Sequence, residues 1–185
     1  MGAITALIPL PAVMVSCQKP DEKPNIITIS WTGIVCSEPP MISVSIRKNR
    51  HSYQIIKSTG EFVVNMTNHK LAKATDLCGN YSGANYDKFE LAGLTPQEAT
   101  KVTVPMIAES PLNLECQVRS RVELGSHDMF IAEIVAVHAD ESILTDDRID
   151  VEKFDPLVYC TKARQYWSGL SRNEGRYGFT AKKSD

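Results

Sequence analysis

The chain has 185 residues, of which 43% are hydrophobic and 23% charged, and its formal net charge is −2. This composition excludes a disordered chain. The near-neutral charge argues against nucleic acid or an anionic membrane as partner, so an anion site would have to be built locally. The length suits one domain, which we predict over residues 1–185.

The apolar run near the N-terminus, ALIPLPAVMV, is interrupted by Pro9 and Pro11 and lacks a preceding basic region. It is also too short to span a bilayer, so we interpret it as the entry to a buried strand at Ala12–Cys17. The cysteines number five and form no CxxC pair. Reduced thiols, no membrane segment and a cytoplasmic protein are therefore expected.

Two strands are predicted between Asn25 and Arg47, because apolar residues alternate there with hydroxyl-bearing ones. The apolar faces comprise Ile27, Ile29 and Trp31, and Ile42, Val44 and Ile46. The polar faces comprise Thr28, Ser30 and Thr32, and Ser43, Ser45 and Arg47, with Ile26 as an apolar exception. The hydroxyl face could hold a flat, phosphorylated ligand. The alternative is an ordinary half-buried sheet whose hydroxyls meet water.

A helix is predicted next, capped by Asn49, running to about Thr59 and ended by Gly60. Its first N–H groups and positive dipole end suit a phosphate, and Arg47, Lys48 and Arg50 add positive charge.

The remaining pattern predicts a strand at Phe62–Met66, a helix at His69–Cys78 and a loop at Gly79–Phe89. Leu112–Leu124 and Met129–His138 form a hairpin, with a last strand at Leu157–Cys160. The tail carries Tyr166, Trp167, Tyr177 and Phe179 and is expected to pack on something. Many antiparallel strands with a few short helices predict a mainly β barrel.

The sequence lacks the motifs of several common classes of enzyme and binding site. There is no phosphate-binding GxxxxGK[ST] loop, no GxGxxG after a strand and no GxSxG elbow. The histidines His51, His69, His127 and His138 have no metal-ligand spacing, so no metal site is expected.

The order of short motifs resembles the flavin reductase-like FMN-binding proteins, and within them the flavoredoxin type. The motifs are NxxTxSWTG, EPPMISVSIR, RHSY and EFVVN, followed by CGNYSG, DKF, GSHDMFIAE and PLVY. The resemblance implies a split β-barrel, an antiparallel Greek-key barrel that binds FMN at a homodimer interface. It implies a cofactor site formed by Asn25, Thr28, Ser30, Trp31, Ser45, Arg47, Ser52, Lys88 and His127. The hydroxyl face adds Thr32 to the predicted site, and the basic run adds Arg50.

Within that site, the resemblance implies that Ser45, Arg47 and Ser52 hold the ring edge and the phosphate. Ser52 replaces the threonine of many relatives but keeps the hydroxyl. An aromatic residue near the C-terminus is also implied, with Tyr159, Tyr166 and Trp167 as candidates. The alternative role of Trp31 is core packing or a dimer contact. No catalytic residue is assigned.

The leading hypothesis is an FMN-binding oxidoreductase. It is either a flavoredoxin-like electron carrier with a redox protein partner or a flavin reductase that uses NADH or NADPH as a transient donor. One alternative is a non-catalytic flavin-binding module on the same barrel. A pyridoxamine phosphate oxidase-type enzyme is a third possibility that shares the architecture but not the motifs.

Overall fold

The computed structural model describes residues 2–170, 172–175, 177 and 179–180. Its longer strands are β2 (Val13–Cys17), β3 (Asn25–Ile29), β4 (Thr32–Cys36), β5 (Met41–Arg47), β6 (Glu61–Met66), β9 (Leu112–Glu123) and β10 (His127–Ala139). The short strands are β1 (Leu10–Pro11), β7 (Pro96–Gln97), β8 (Met106–Ile107), β11 (Leu144–Thr145), β12 (Arg148–Ile149), β13 (Val158–Cys160) and β14 (Gln165–Trp167).

The α-helices are α1 (His51–Thr59), α2 (Ala72–Asn80), α3 (Lys88–Ala92) and α4 (Val151–Phe154), and 3-10 turns lie at His69–Leu71 and Glu141–Ile143. Each helix in the described part of the chain has nine residues or fewer. A helix that crosses a bilayer needs roughly 20 residues.

The seven longer strands form one antiparallel sheet in the order β3-β2-β6-β9-β10-β5-β4. Its two edge strands, β3 and β4, are consecutive in the chain and are joined only by Ser30 and Trp31. The Trp31 carbonyl accepts a hydrogen bond of 2.9 Å from the Ser45 N–H of β5. The two edges of the sheet are thereby brought together, and the sheet curls into a barrel.

This junction corrects the predicted continuous strand from Ile27 to Thr32. Side chains alternate only within β3, so Ile27 and Ile29 enter the core while Trp31, beyond the strand end, is 40% exposed. The core-packing role considered for Trp31 is therefore wrong. The chain must pass from one sheet edge to the other at this point, which ends the alternation.

The barrel interior holds the main hydrophobic core, which includes Val15, Ile27, Val44, Phe62 and Phe130. A second cluster lies outside the barrel, where α2 and α3 cover β2 and β3. Ile26 belongs to it with Met14, Cys78 and Phe89, among others. Ile26, the apolar exception on the predicted polar face, therefore packs under α2 and α3. Thr28 on the same face donates to the Thr75 carbonyl of α2 rather than to water.

The helix boundaries differ from the prediction at several points. Helix α1 begins after Arg50, with no side-chain cap, and Asn49 lies in the preceding turn, so the predicted Asn49 cap is wrong. Gly60 ends the helix as predicted, with a φ of 71° that suits glycine. The predicted loop at Gly79–Phe89 is shorter than expected, because α2 continues to Asn80 and Asp87 caps α3.

The predicted hairpin is present as β9 and β10, which place Asp128 opposite Glu123 and Ala139 opposite Leu112. The C-terminal segment forms β14 on β13, and the Tyr166 ring packs 5.2 Å from that of Tyr159. The packing expected for the rest of the tail is not seen within one chain, because Trp167 is 58% and Phe179 is 70% exposed.

Candidate functional site

A wide pocket of about 330 Å³ opens where β3 and β4 meet β5. Six of the sequence-predicted residues line it together, namely Thr28, Ser30, Trp31, Ser45, Arg47 and His127. A seventh, Arg50, lines both this pocket and its smaller neighbour. Barrel closure brings these residues together, because they lie far apart in sequence but near strand ends that converge at the pocket.

A smaller pocket of about 80 Å³ adjoins the first and shares Ile27, Thr28, Arg50 and Gly79 with it. It is lined by Ser52 at the start of α1 and by Lys88, with Ser82 and Gly83 from the loop after α2. The two pockets therefore form one groove with a wide aromatic end and a narrow cationic end.

The narrow end is shaped by the start of α1. Because no side chain caps this helix, the N–H groups of His51 and Ser52 remain available to a ligand, whereas that of Tyr53 donates to the Arg50 carbonyl. Ser52 is buried, and its hydroxyl accepts a hydrogen bond of 2.7 Å from Asn25 Nδ2. Asn25 thus lies behind the pocket and holds the Ser52 hydroxyl in place.

Lys88 is only 4% exposed, and its Nζ donates to the carbonyls of Ile26 at 2.7 Å and Cys78 at 2.8 Å. No carboxylate of the described residues lies within 4 Å of it. Burial lowers the pKa of Lys88 to about 8. A buried ammonium with one hydrogen left over and no negative partner is costly, so this site suits an anionic ligand.

Gly83 closes the narrow end from the loop side. A Cβ at this position would lie 1.9 Å from Asn25 Oδ1 and 3.1 Å from His51 Cδ2. Asn25 Oδ1 is buried and has no hydrogen-bond partner among the described residues. The backbone therefore approaches the narrow end as closely as only glycine permits. Gly83 ends the CGNYSG motif, but that motif does not by itself predict the contact with Asn25.

At the wide end, the rings of Trp31 and His127 stack with centroids 6.1 Å apart and an angle of 13°. Burial, and then the nearby Arg47 guanidinium, lower the pKa of His127 below its usual value. The imidazole is therefore mainly neutral at pH 7. Its Nδ1 lies 2.8 Å from the Ser126 hydroxyl oxygen, so Nε2 is the ring nitrogen left for a ligand.

The hairpin of β13 and β14 forms the outer wall of the wide pocket. Tyr159 and Tyr166 both line the pocket, whereas Trp167 does not. Of the three C-terminal aromatic candidates from the sequence, Tyr159 and Tyr166 are therefore the two that lie at the pocket. Asp76 of α2 and Arg164 of the hairpin turn also line the pocket. Neither was predicted, because neither stands in a recognisable motif.

Two predicted residues do not line the groove: Asn25, which lies behind Ser52, and Thr32. The Thr32 hydroxyl donates to the Ser43 carbonyl at 2.7 Å, and Thr32 lines an apolar cavity along β4 that shares Ser30, Trp31 and Ser45 with the wide pocket. Within the described residues, no cluster of three or more His, Cys, Asp or Glu side chains is placed to hold a metal ion.

The fold defines a split-barrel protein, and the groove at the barrel closure is its candidate ligand site. Residues 5–168 match the model of the Flavin reductase like domain, and the chain belongs to this family. Membership supports a flavin-linked redox role in general terms.

Solved structures of similar fold agree with this assignment. Flavoredoxin of Desulfovibrio vulgaris (Miyazaki F) is 35% identical, with 97% of each chain covered and a TM-score of 0.91. Flavoredoxin from Methanosarcina acetivorans is 29% identical, with the same coverage and a TM-score of 0.87. Nitrilotriacetate monooxygenase component B from Bacillus cereus is 26% identical, covers 91% of this chain and 88% of its own, and has a TM-score of 0.84.

Proposed function

We propose that this protein is an FMN-binding oxidoreductase built as a single domain over residues 1–185. The observation that carries the proposal is the joined groove, whose wide end is aromatic and whose narrow end is cationic. Flavoredoxins among the similar structures support it. When bound, FMN would supply reversible electron transfer at its ring.

The residues present fit such a cofactor. The wide end would take the flat ring, between Trp31 and the Tyr159–Tyr166 wall, with hydroxyls from Ser30 and Ser45 at its edge. The narrow end would take the phosphate, which needs donors and positive charge. Ser52, Lys88 and the uncapped start of α1 supply both there.

The phosphate assignment shifts from Arg47 to Arg50. Arg47 lines only the wide pocket, beside His127, whereas Arg50 lines both pockets. We therefore propose Arg50 as the guanidinium that meets the phosphate, and Arg47 as a contact at the ring end. Asn25 would act indirectly, by holding Ser52.

We expect the purified protein to be yellow and to release FMN, rather than FAD, on heating. The narrow pocket of about 80 Å³ suits one phosphate group, and FMN carries one phosphate whereas FAD carries two. Mass spectrometry of the released cofactor checks this. FAD as the sole species would contradict the FMN proposal, and a colourless protein that takes up no flavin would contradict the function itself.

We propose that the physiological electron donor is either a nicotinamide nucleotide or a redox protein, and a kinetic test can distinguish the two. NADH or NADPH would reduce the bound flavin directly in a reductase, whereas a carrier would require a redox protein partner. Stopped-flow mixing with each nucleotide distinguishes them, because flavin bleaching at a catalytic rate is expected only for the reductase.

We also propose a cytoplasmic location. The five cysteines are free thiols, which supports a reducing compartment.

We further propose a homodimer that joins along β4. This edge strand exposes Ile34 and Val35, and with Leu7 and Leu10 they line an apolar cavity of about 610 Å³ that reaches Trp31. An exposed apolar edge strand of this kind invites pairing, and the family resemblance implies a second copy as the partner.

Replacing Ile34 with aspartate is expected to convert the dimer to a monomer, since it would place an unpaired charge in the apolar contact. Light scattering at micromolar concentration measures the mass. Ile149→Asp is the matched control, because Ile149 is similarly exposed but lies on β12. A wild-type monomer, or a dimer that survives Ile34→Asp, would contradict this interface.

A further inference from the structure

The wide pocket holds more positive charge than one phosphate accounts for. Arg47, Arg50 and Arg164 line it, and Asp76 is the single carboxylate among its lining residues. None of the three guanidinium groups forms an ion pair within 4 Å in the described part of the chain. This surplus occurs in a chain whose net charge is −2, so it is local to the pocket.

The proposed cofactor uses only part of this charge. Arg50 and Lys88 border the narrow end, where the phosphate is proposed to lie. Arg47 and Arg164 border only the wide end. Burial, and then the nearby Asp76 carboxylate, raise the pKa of Tyr166 to about 12. Asp76 therefore faces a neutral phenol as well as the arginines, and it can balance at most one of them.

Arg164 is placed in the pocket by an unusual backbone. It ends the four-residue connection between Cys160 and Gln165, which are paired across β13 and β14. Its φ is 53°, in the left-handed region where glycine or asparagine is usual. An arginine in this region is strained, because its Cβ crowds the backbone, and strained residues cluster at functional sites. The same hairpin presents Tyr159 and Tyr166 to the pocket.

We infer that the wide pocket selects a redox substrate with an anionic group, a carboxylate or a phosphate, and that Arg164 and Arg47 recognise this group. The inference rests on the proposed function and deepens it by naming the substrate class. Arg164 is a specificity-determining residue in this scheme, since guanidinium binds carboxylate and phosphate through paired hydrogen bonds.

Calorimetric titration of the purified protein tests the inference without any redox turnover. One arm compares benzoate with benzamide, which has the same ring and no charge. The other arm compares oxidised NADP with oxidised NAD, which differ by one phosphate. In at least one arm the more anionic ligand is expected to bind about tenfold more tightly, as one charge-assisted hydrogen bond predicts. The arm that responds identifies the source of the anion.

Arg164→Gln is expected to abolish that preference, and Arg164→Lys to restore part of it. Arg148→Gln is the matched control, because Arg148 is an exposed arginine on β12 outside the groove. Equal binding within both pairs, or a preference that survives Arg164→Gln, would overturn the inference.

Flavin absorbance measured on the same samples keeps the two claims apart. Flavin-loaded protein without an anion preference contradicts only the inference. Protein that takes up no flavin contradicts the proposed function, and its titrations still report whether the arginines bind an anion.

Discussion

Replacing Lys88 with methionine is expected to weaken FMN binding by about ten- to a hundredfold and to change riboflavin binding little. Lys88 borders the narrow pocket, is 4% exposed and has no carboxylate partner among the described residues. A hydrogen bond to a charged group contributes roughly 1.5–3 kcal/mol. Riboflavin lacks the phosphate, so it reports on the ring end of the groove alone.

The two ligands also separate a binding role from a folding role. Lys88 donates to the Ile26 and Cys78 carbonyls, so its loss removes a donor from both and lowers the stability of the fold. A purely structural effect would weaken FMN and riboflavin alike. Titration by flavin fluorescence quenching measures both affinities. Lys73→Met on α2 is the control, because it removes the same charge from an exposed position.

The same lysine makes the phosphate preference depend on pH. Burial lowers the pKa of Lys88 to about 8 in the free protein, and a bound phosphate raises it by favouring the charged form. FMN binding therefore takes up a proton above about pH 8. The ratio of FMN to riboflavin affinity is expected to fall as pH rises from 8 to 10. In Lys88→Met the ratio is expected to be flat across that range, and an equal slope in both proteins would contradict the assignment.

Replacing Glu115 with glutamine is expected to destabilise the fold by about 3–5 kcal/mol, the usual cost of removing one partner from a buried charged network. Glu115 is fully buried on β9. Its carboxylate accepts the N–H groups of Thr100, Lys101 and Val102 at 2.6 to 3.0 Å. The Thr100 hydroxyl also donates to it, and His138 Nε2 lies 2.6 Å away. These contacts fasten the loop before β8 to the sheet.

The amide cannot replace that carboxylate, because its NH₂ group would face N–H donors. Thermal unfolding is expected to show a decrease of roughly 10 °C in Tm for a chain of this length. Glu98→Gln serves as control, since Glu98 is exposed in the same region and its change is expected to stay within about 0.5 kcal/mol. Flavin affinity is expected to be unchanged, since Glu115 does not line the groove.

The lowered pKa of Glu115 also predicts that part of the stability of the fold is lost in acid. Burial raises its pKa, but the hydrogen bonds, first that from the Thr100 N–H and then that from His138, outweigh burial and lower it to about 2. The folded pKa lies below the unfolded value of about 4.3. The stabilisation is therefore fully present above about pH 4.3 and lost as pH falls toward 2. Unfolding by urea from pH 7 to pH 2.5 should show a shallower loss of stability in Glu115→Gln than in wild type.

The sequence predicted the fold best where one interaction pattern dominated. Alternation along β9 and β10 defined the hairpin, because each strand is long and has one buried face. The prediction of a continuous alternating strand failed at Trp31, where the chain leaves β3 and enters β4. Alternation is a property of a continuing strand, and the point at which a sheet closes on itself has no local signal. The Asn49 cap failed similarly, because Arg50 takes the N-cap position without any side-chain cap.

For the groove, the sequence by itself determined the chemical character of the site: the hydroxyls of Thr28 and Ser45, the basic run around Arg50 and the family to which the chain belongs. The tertiary structure alone decided which groups meet. It buried Lys88 beside Ser52, separated Arg47 from them and added Arg164 and Gly83. Residue type fixes charge and hydrogen-bonding capacity locally, whereas proximity depends on barrel closure and helix packing between segments distant in the chain.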